Sequence, residues 1–330
     1  MSPGPRTALV LLAALALLAG CGSSSDEGDS GGWQDAPVVP ELTGEVANQF
    51  RADVSAADAR GFRADVFAKV GDSNTELADN LYGFACAPVN YADHADMEPV
   101  VQKYNAVTLD VAGEPGCEPV TSFSRRSAAA RSGTYSTFPI TKIRDYVTPF
   151  GRNDPACSTE ETPLACEIRL LQPRYTIIMT GTNDLGYDLR VGGIEPGSKA
   201  AERMGLLIAS IRLAGSVPVL SNLPPAWVPR TPDVDEWGGI KRSNERIADI
   251  AEAAKVPLIN LWGALTEDQM IDRGLGPDGI HLSVYGGTES PDLFANSVDL
   301  SEEALRYGAN RRNLIWLQTL TALDRAASEG

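Results

Sequence analysis

The chain has 330 residues, of which 43% are hydrophobic and 22% are charged. This length and apolar share indicate one large domain or two ordinary ones with a sizeable core, and they exclude a disordered chain. The 28 basic residues against 44 acidic ones give a net charge of −16 and a pI near 4.6. Because such a chain repels phosphate backbones and shows no local basic patch, we expect no nucleic-acid partner. Two histidines are too few for a histidine-rich metal site.

The N-terminus is typical of an export signal. Arg6 precedes an apolar run over residues 8–19, which is too short to span a bilayer. The run ends in Leu-Ala-Gly-Cys at residues 18–21, which resembles the lipobox of bacterial lipoproteins. That resemblance implies that residues 1–20 are a signal peptide and that Cys21 carries a lipid anchor. The alternative is an ordinary secretory signal followed by a chance cysteine.

A flexible tether follows the cysteine. Residues 22–32 contain only Gly, Ser, Asp and Glu and cannot form a core. We therefore divide the chain into a signal peptide (1–20), a lipidated cysteine with its tether (21–32), and a single domain (33–330). The expected location is extracytoplasmic, anchored to a bacterial membrane. Gly22 after the cysteine favours the outer membrane if the cell has two membranes.

Four further cysteines lie within the predicted domain, at Cys86, Cys117, Cys157 and Cys166. In an exported domain they favour two disulfides, for which three pairings are possible. Cys157 and Cys166 flank a short loop and are a plausible pair, which leaves Cys86 for Cys117. A zinc site is the alternative, but no C-x-x-C pair is present, so we expect no metal.

Alternation of strands and helices indicates an α/β fold. Short apolar runs predict five strands, over residues 65–70, 106–111, 175–179, 217–220 and 257–261. Helical periodicity predicts helices over residues 76–84, 199–213, 243–254 and 301–327. This order favours a parallel sheet covered on both faces, in a three-layer α/β/α sandwich. A loop-rich insertion is expected around residues 112–174.

Polar residues follow three of the predicted strands, where the carboxyl ends of a parallel sheet collect reactive groups. Gly-Asp-Ser-Asn-Thr at residues 71–75 follows the first strand, and Gly-Thr-Asn-Asp at 181–184 follows the third. Gly-Pro-Asp-Gly-Ile-His-Leu-Ser at 276–283 comes after the fifth. Together and in this order, the three blocks resemble those of the SGNH (GDSL-type) hydrolase family.

The resemblance implies a flavodoxin-like sheet with strand order 2-1-3-4-5 and assigns roles to residues. Ser73 is the expected nucleophile, and Ser73 and Asn183 the expected oxyanion donors. The family's glycine donor corresponds to Gly133 in Arg-Ser-Gly-Thr at residues 131–134, with Ala128 or another nearby N–H as the alternative. This sequence has Asn74 where the family's GDSL pattern has leucine.

Elementary chemistry supports the same roles. Serine needs a base to take its hydroxyl proton, and His281 is better placed than His94. Asp278, three residues earlier, can accept the other ring N–H and orient the base. These residues predict a serine esterase that acts on short-chain acyl or O-acetyl esters through an acyl-enzyme, without a cofactor. The expected partners are a small-molecule or glycan ester and, through the lipid anchor, the membrane, and we expect a monomer.

Two other functions remain open at this level. An acyltransferase would form the same acyl-enzyme and differ only in its acceptor. A non-catalytic module would bind an envelope component or glycan without turning it over. Four polar residues have two interpretations each. Asp72 and Asp184 either stabilise their own loops or form a paired acidic site. Arg125 and Arg126 are either structural residues or contacts to an anionic substrate.

Overall fold

The fold is built on a parallel four-stranded sheet, seen in a computed structural model that describes residues 32–146, 154–185, 198–226 and 236–329. The strands lie in the order in which they occur in the chain: β1 (Arg63–Gly71), β2 (Pro173–Met179), β3 (Val217–Ser221) and β4 (Leu258–Ile259). Four of the five predicted strands are therefore confirmed, and their neighbours agree with the predicted order.

Helices cover both faces of the sheet, which confirms the predicted three-layer α/β/α class. One face packs against α1 (Gly44–Ala59), α4 (Glu98–Asn105) and the C-terminal helix α10 (Gly308–Ser328). The other packs against α5 (Pro163–Leu171), α6 (Ser198–Ala214) and α7 (Glu236–Ala254). Alternate residues of β2 divide between the two layers, with Ile177 in the first core and Ile178 in the second. Two-sided burial explains why the strands are continuously apolar.

Short helices connect these elements along the edges of the sheet. They are α2 (Ser73–Glu76), α3 (Gly83–Cys86), α8 (Leu261–Leu265) and α9 (Leu293–Ser297). Within the predicted loop-rich insertion, the described residues include helix α5 as well as two turns of 3-10 helix, Phe138–Ile140 and Ile143–Asp145. The insertion is therefore more ordered than its sequence suggests.

The predicted strand at residues 106–111 is wrong. This segment forms no ladder, and its apolar residues Val107, Leu109 and Val111 instead pack over the β1 residues Val66 and Ala68. The chain passes beside β1 later, where Ala130 makes an isolated parallel bridge with Gly71. The apolar pattern of 106–111 thus reflects packing against a strand rather than pairing with one.

Two predicted helices differ in the structure. The helix over residues 76–84 is wrong, because the chain leaves helical geometry at Leu77 (ψ 148°) and helix resumes only in α3. The helix over 301–327 begins later, at Gly308. The Ser301 hydroxyl instead accepts the Ala304 N–H at 3.4 Å, ahead of the 3-10 turn Ala304–Arg306.

Both disulfides have the pairing that the sequence analysis favoured because Cys157 and Cys166 flank a short loop. Cys86 is bonded to Cys117, and Cys157 is bonded to Cys166. The first joins the end of α3 to the insertion, and the second lies within the insertion and joins Cys157 to α5. Because all four sulfurs are in disulfides, they do not serve as zinc ligands.

The predicted signal peptide, Cys21 and the tether up to residue 31 lie outside the described residues, so their roles and the domain boundaries stay predictions. Within the part of the chain that the structure describes, no helix combines the length and hydrophobicity needed to cross a bilayer.

Opening the longer disulfide loop is expected to cost more stability than opening the shorter one. Cys86–Cys117 spans 31 positions and Cys157–Cys166 spans 9. Loop-closure entropy then predicts a loss of about 3–4 kcal/mol for Cys86→Ser with Cys117→Ser, and of about 2–3 kcal/mol for the other pair. Urea denaturation of both double variants measures the difference. Equal losses, or a larger loss for the short loop, would contradict this ranking.

Candidate active site

Ser73 lies just beyond the carboxyl end of β1, where the chain turns directly into α2. The turn is tight, since a Cβ atom on Gly71 would lie 2.2 Å from the carbonyl oxygen of Met179 in β2. The Thr75 hydroxyl donates to the same carbonyl at 2.9 Å, which fixes the first turn of α2 against β2. Ser73 is only 8% exposed, and its backbone N–H has no acceptor among the described residues. This N–H is therefore free to bind a ligand.

We call the turn between β1 and α2 the nucleophile turn, after the role predicted for Ser73, and Asp72 connects it to the polar block after β2. It is buried, and its Oδ1 accepts the Asn74 backbone N–H at 3.2 Å, so it stabilises its own loop. Burial raises the pKa of Asp72 to about 6, and the N–H groups of Asn74, Thr182 and Gly181 oppose that rise. The nearby Asp184 carboxylate adds to it. Asp72 is thus a buried carboxylate whose ionisation is costly.

Asp278 and His281 are carried by a small hairpin at residues 274–283. Its stem is closed by hydrogen bonds from the Gly276 N–H to the His281 carbonyl (2.8 Å) and from the Ser283 N–H to the Gly274 carbonyl (2.8 Å). We call this segment the catalytic hairpin, after the roles predicted for Asp278 and His281. At its tip, Asp278 Oδ2 lies 2.5 Å from His281 Nδ1.

The surroundings of Asp278 keep its carboxylate ionised. Partial burial raises its pKa, but hydrogen bonds from the backbone N–H of Ile280 (2.9 Å), the His281 ring and the His281 N–H (3.0 Å) outweigh burial, and the net pKa is lowered. An ionised Asp278 accepts the Nδ1–H of His281 and thereby selects the tautomer with a free Nε2. This free nitrogen is what a general base requires.

Asn74 joins the nucleophile turn to the catalytic hairpin. Its side-chain amide donates to the Ile280 carbonyl at 3.2 Å, and its Oδ1 accepts the Leu282 N–H at 3.3 Å. These two contacts lie on either side of His281, and Asn74 itself follows Ser73. We call this pair of bonds the Asn74 clasp. It brings the predicted nucleophile and the predicted base onto adjoining, hydrogen-bonded loops.

Arg312 of α10 holds the backbone of Asn74. The guanidinium is fully buried, and it donates to the Asn74 carbonyl at 2.9 Å and to the Asp79 carbonyl at 2.8 Å. These bonds satisfy carbonyl groups that a continuous helix after Ser73 would have used. They therefore explain why the predicted helix over residues 76–84 does not form. The sequence analysis missed Arg312, and its only signal was a charge in an otherwise apolar helical face.

The loop at residues 128–134, which we call the Gly133 loop, offers a free N–H at Gly133. The alternative donor, Ala128, gives its N–H to the buried Glu167 carboxylate at 2.9 Å. The N–H groups of residues 129–132 also donate within the protein. Gly133 lies in a left-handed turn (φ 71°), and its N–H has no acceptor in the described ranges. The hydrogen bonds therefore favour Gly133 over Ala128 as the backbone donor to an oxyanion.

Asn183 is hydrogen-bonded to the residue that follows Gly133. Its side-chain amide donates to the Thr134 carbonyl at 2.9 Å, which leaves its second amide hydrogen for a ligand. The next residue, Asp184, accepts the Ser136 N–H at 2.8 Å and its hydroxyl at 2.7 Å, and it pairs with Arg203. Asp184 thus holds the segment that follows the Gly133 loop. These contacts connect Asn183 to the chain around Gly133.

Arg125 does not face a substrate. It is buried and pairs with Glu167 and Asp154, each at 2.8 Å. Arg126 is half exposed and lies 3.5 Å from Glu114. Arg125 is thus structural, as one of its two sequence interpretations had it.

The family comparison covers part of the site. Residues 152–287 match the model of the GDSL-like Lipase/Acylhydrolase family. The matched segment contains Asn183, Asp278 and His281, whereas Ser73 and Gly133 precede it. Among curated protein sequences, none matches this chain.

Several solved structures are similar in fold. A GDSL-like lipase from Bacteroides thetaiotaomicron is 15% identical and aligns over 84% of this chain and 98% of its own, with a TM-score of 0.43. An acetylxylan esterase from Geobacillus stearothermophilus is 14% identical over 77% and 93% of the two chains, with a TM-score of 0.43. A lipase/acylhydrolase from Enterococcus faecalis is 17% identical over 58% and 72%, with a TM-score of 0.37.

Breaking the Asn74 clasp is expected to lower turnover more than it lowers stability. Asn74→Leu removes both bonds to the catalytic hairpin, which costs about 1–3 kcal/mol of stability and, by misplacing the base, about 10²-fold in kcat. Asn80→Leu is the matched control, because Asn80 is also buried and its amide holds the same segment through the Thr75 carbonyl at 2.8 Å. If kcat falls equally in the two variants, the clasp does not act on the base.

Asp72 is expected to make stability fall as the pH rises. Its pKa in the folded protein, about 6, lies above the ordinary 3.8, so the folded state binds the proton more tightly. The resulting stabilisation is full below about pH 4 and is lost as the pH rises through 6, a change of about 3 kcal/mol. Between pH 4 and 7, wild type should lose that much more stability than Asp72→Asn in urea denaturation. Parallel profiles for the two proteins would refute this assignment.

Proposed function

We propose that this chain, whose residues 152–287 match the GDSL-like lipase/acylhydrolase family, is a serine esterase with Ser73 as nucleophile, His281 as base and Asp278 as its orienting carboxylate. The similarity to this family supports a hydrolase that acts on ester bonds. The single observation that carries the assignment of residues is the Asn74 clasp, which joins the Ser73 turn to the hairpin on which Asp278 and His281 are hydrogen-bonded.

The proposed reaction proceeds through an acyl-enzyme. His281 Nε2 takes the proton of the Ser73 hydroxyl as its oxygen attacks the ester carbonyl carbon, and Asp278 stabilises the imidazolium that forms. The tetrahedral intermediate collapses when His281 returns the proton to the leaving alcohol oxygen, leaving the acyl group on Ser73. Water, deprotonated by His281, then attacks the acyl carbonyl. The acid is released and Ser73 regains its proton.

Negative charge on the carbonyl oxygen has three proposed donors. They are the free backbone N–H groups of Ser73 and Gly133 and the side-chain amide of Asn183. Each donor of this kind contributes about 10²–10³ to turnover. Because both N–H groups lack protein acceptors among the described residues, they need no rearrangement to bind the oxyanion. This preorganisation supports the proposed mechanism.

A short acyl group is the proposed substrate part at Ser73. Ser73 is only 8% exposed and lies between the tight turn that follows β1 and the clasp to the catalytic hairpin. Such a narrow approach favours acetyl or another short chain over a long fatty chain. The alcohol part of the ester, a small molecule or a glycan, remains on the solvent side.

We also propose that the enzyme is exported and lipid-anchored at Cys21, and that it is a monomer. The support for the anchor is the lipobox-like sequence and the tether that follows it. Trp33, the residue that follows the predicted tether, packs edge-on against Trp262 with ring centroids 5.8 Å apart.

Loss of the Ser73 hydroxyl is expected to abolish esterase activity. Ser73→Ala should reduce kcat on p-nitrophenyl acetate by about 10⁴-fold or more, since the remaining catalysis comes from the oxyanion donors and binding alone. A fluorophosphonate probe should label wild type and not the variant. The exposed Ser328→Ala serves as a matched control, with unchanged turnover. Wild-type turnover in Ser73→Ala would show that another group carries the reaction.

A further inference from the structure

The carboxylate of Glu76 joins the nucleophile turn to the Gly133 loop. Helix α2 is a single turn with Ser73 as its first residue and Glu76 as its last, and residues three apart lie on the same side of a helix. Glu76 Oε2 accepts the Ser132 N–H at 2.6 Å. Ser132 immediately precedes Gly133, whose free N–H is a proposed oxyanion donor. One turn of helix therefore carries the proposed nucleophile at one end and a contact to the Gly133 loop at the other.

The backbone of Glu76 is itself fixed by the protein. Its N–H donates to the Asp72 carbonyl at 3.0 Å, and its carbonyl accepts the hydroxyl of the buried Tyr82 at 3.2 Å. Its side chain is half-buried, and a hydrogen bond to a carboxylate is about twice as strong as one between neutral groups. The carboxylate of Glu76 is therefore a fixed acceptor for the Ser132 N–H rather than a mobile surface charge.

The position of the Gly133 N–H depends on the residues next to it. Gly133 is exposed and has no side chain, and its N–H has no acceptor among the described residues. On its C-terminal side, the Thr134 carbonyl accepts the Asn183 amide at 2.9 Å. On its N-terminal side, the Glu76 carboxylate holds Ser132. Of the contacts that precede Gly133 in this loop, the bond to Glu76 is thus the nearest along the chain.

A carboxylate near an oxyanion donor needs a counter-charge, because like charges repel each other. Arg131, the residue before Ser132, supplies one: it is buried, with its guanidinium carbon 4.8 Å from the centre of the Phe138 ring. Burial lowers the pKa of Arg131, and the attraction of Glu76 opposes that lowering. Because the charge of Glu76 is compensated in this way, we expect its position to matter for catalysis more than its charge.

We propose that Glu76 is a positioning residue that fixes the Gly133 N–H relative to Ser73. This inference rests on the proposed esterase function. Since the N–H groups of Ser73 and Gly133 must reach the same carbonyl oxygen, the bond from Ser132 to Glu76 sets the spacing of the two donors. The oxyanion forms only when the ester is attacked, so this bond acts on turnover and not on the binding of substrate.

Three substitutions of Glu76 separate its position from its charge. Glu76→Gln keeps the length of the side chain and an oxygen acceptor, so kcat on p-nitrophenyl acetate should stay within about threefold of wild type. Glu76→Asp keeps the charge but withdraws the acceptor by one methylene, and kcat should fall about tenfold. Glu76→Ala removes the acceptor, and kcat should fall about 30-fold, which is part of the contribution of a whole donor. KM should stay within about twofold in all three variants.

Inhibition by phenylboronic acid provides a second measurement, because its tetrahedral adduct with Ser73 places an oxygen where the oxyanion forms. In each variant of Glu76, the inhibition constant should rise by the same factor as kcat/KM falls. A purely structural role of Glu76 would not produce this proportionality.

Asp299→Ala is the matched control. Asp299 is also half-buried, and its carboxylate accepts a backbone N–H, that of Ser301, at 2.9 Å. Its other described hydrogen bonds go to Asn90 and Asn310, which belong neither to the Gly133 loop nor to the nucleophile turn. The control should lose stability in urea denaturation, as Glu76→Ala does, without a change in kcat.

Wild-type kcat in Glu76→Ala, or equal losses of kcat in Glu76→Ala and Asp299→Ala, would overturn the proposal. A larger loss in Glu76→Gln than in Glu76→Asp would also overturn it, because charge and not position would then matter, and this comparison holds even if the alanine variant does not fold. An inhibition constant that stays constant while kcat falls is a further contradiction. If Ser73→Ala instead keeps wild-type turnover, the esterase assignment itself fails.

Discussion

A buried arginine in the last helix determines the shape of the nucleophile turn. Arg312 binds the carbonyl groups of Asn74 and Asp79, and Lys69 of β1 binds those of Asn80 (3.4 Å) and Phe123 (2.9 Å). Burial lowers the pKa of Lys69 to about 7, whereas arginine remains charged at any working pH. The backbone carbonyl groups after Ser73 therefore accept hydrogen bonds from buried side chains instead of from the N–H groups of a regular helix. As a result, the segment that follows Ser73 is fixed against the core of the protein.

The hydrogen bonds of Arg312 are connected to His281, the proposed base, through a short series of contacts. With its carbonyl held by Arg312, Asn74 directs its amide at the backbone on both sides of His281. The hairpin stem and the Asp278 carboxylate then fix the ring. On the other side of Ser73, Asn183 is tied to Thr134. Each predicted catalytic or oxyanion residue, or the residue that follows it, is thus held by a hydrogen bond to another loop or within its own hairpin, as preorganised catalysis requires.

The sequence predicted those features of the site that depend on residues close together in the chain. Asp278 and His281 are three residues apart, so their pairing follows from spacing alone. The apolar run at 106–111 misled because packing against a strand and pairing within a sheet leave the same pattern. The choice of Gly133 over Ala128 depends on which N–H groups find acceptors, and only the folded chain decides this. Arg312 lies 238 positions from its partner Asn74, and no local pattern encodes such a contact.

The central claim is that Ser73 forms a covalent acyl-enzyme within this constrained turn. The most direct test is mass spectrometry of peptides from protein quenched in acid shortly after mixing with p-nitrophenyl acetate. The account predicts one added acetyl group, located on Ser73, in wild type. Acetylation of any other residue as the turnover-dependent product, or turnover with unmodified Ser73 at every quench time, would contradict it.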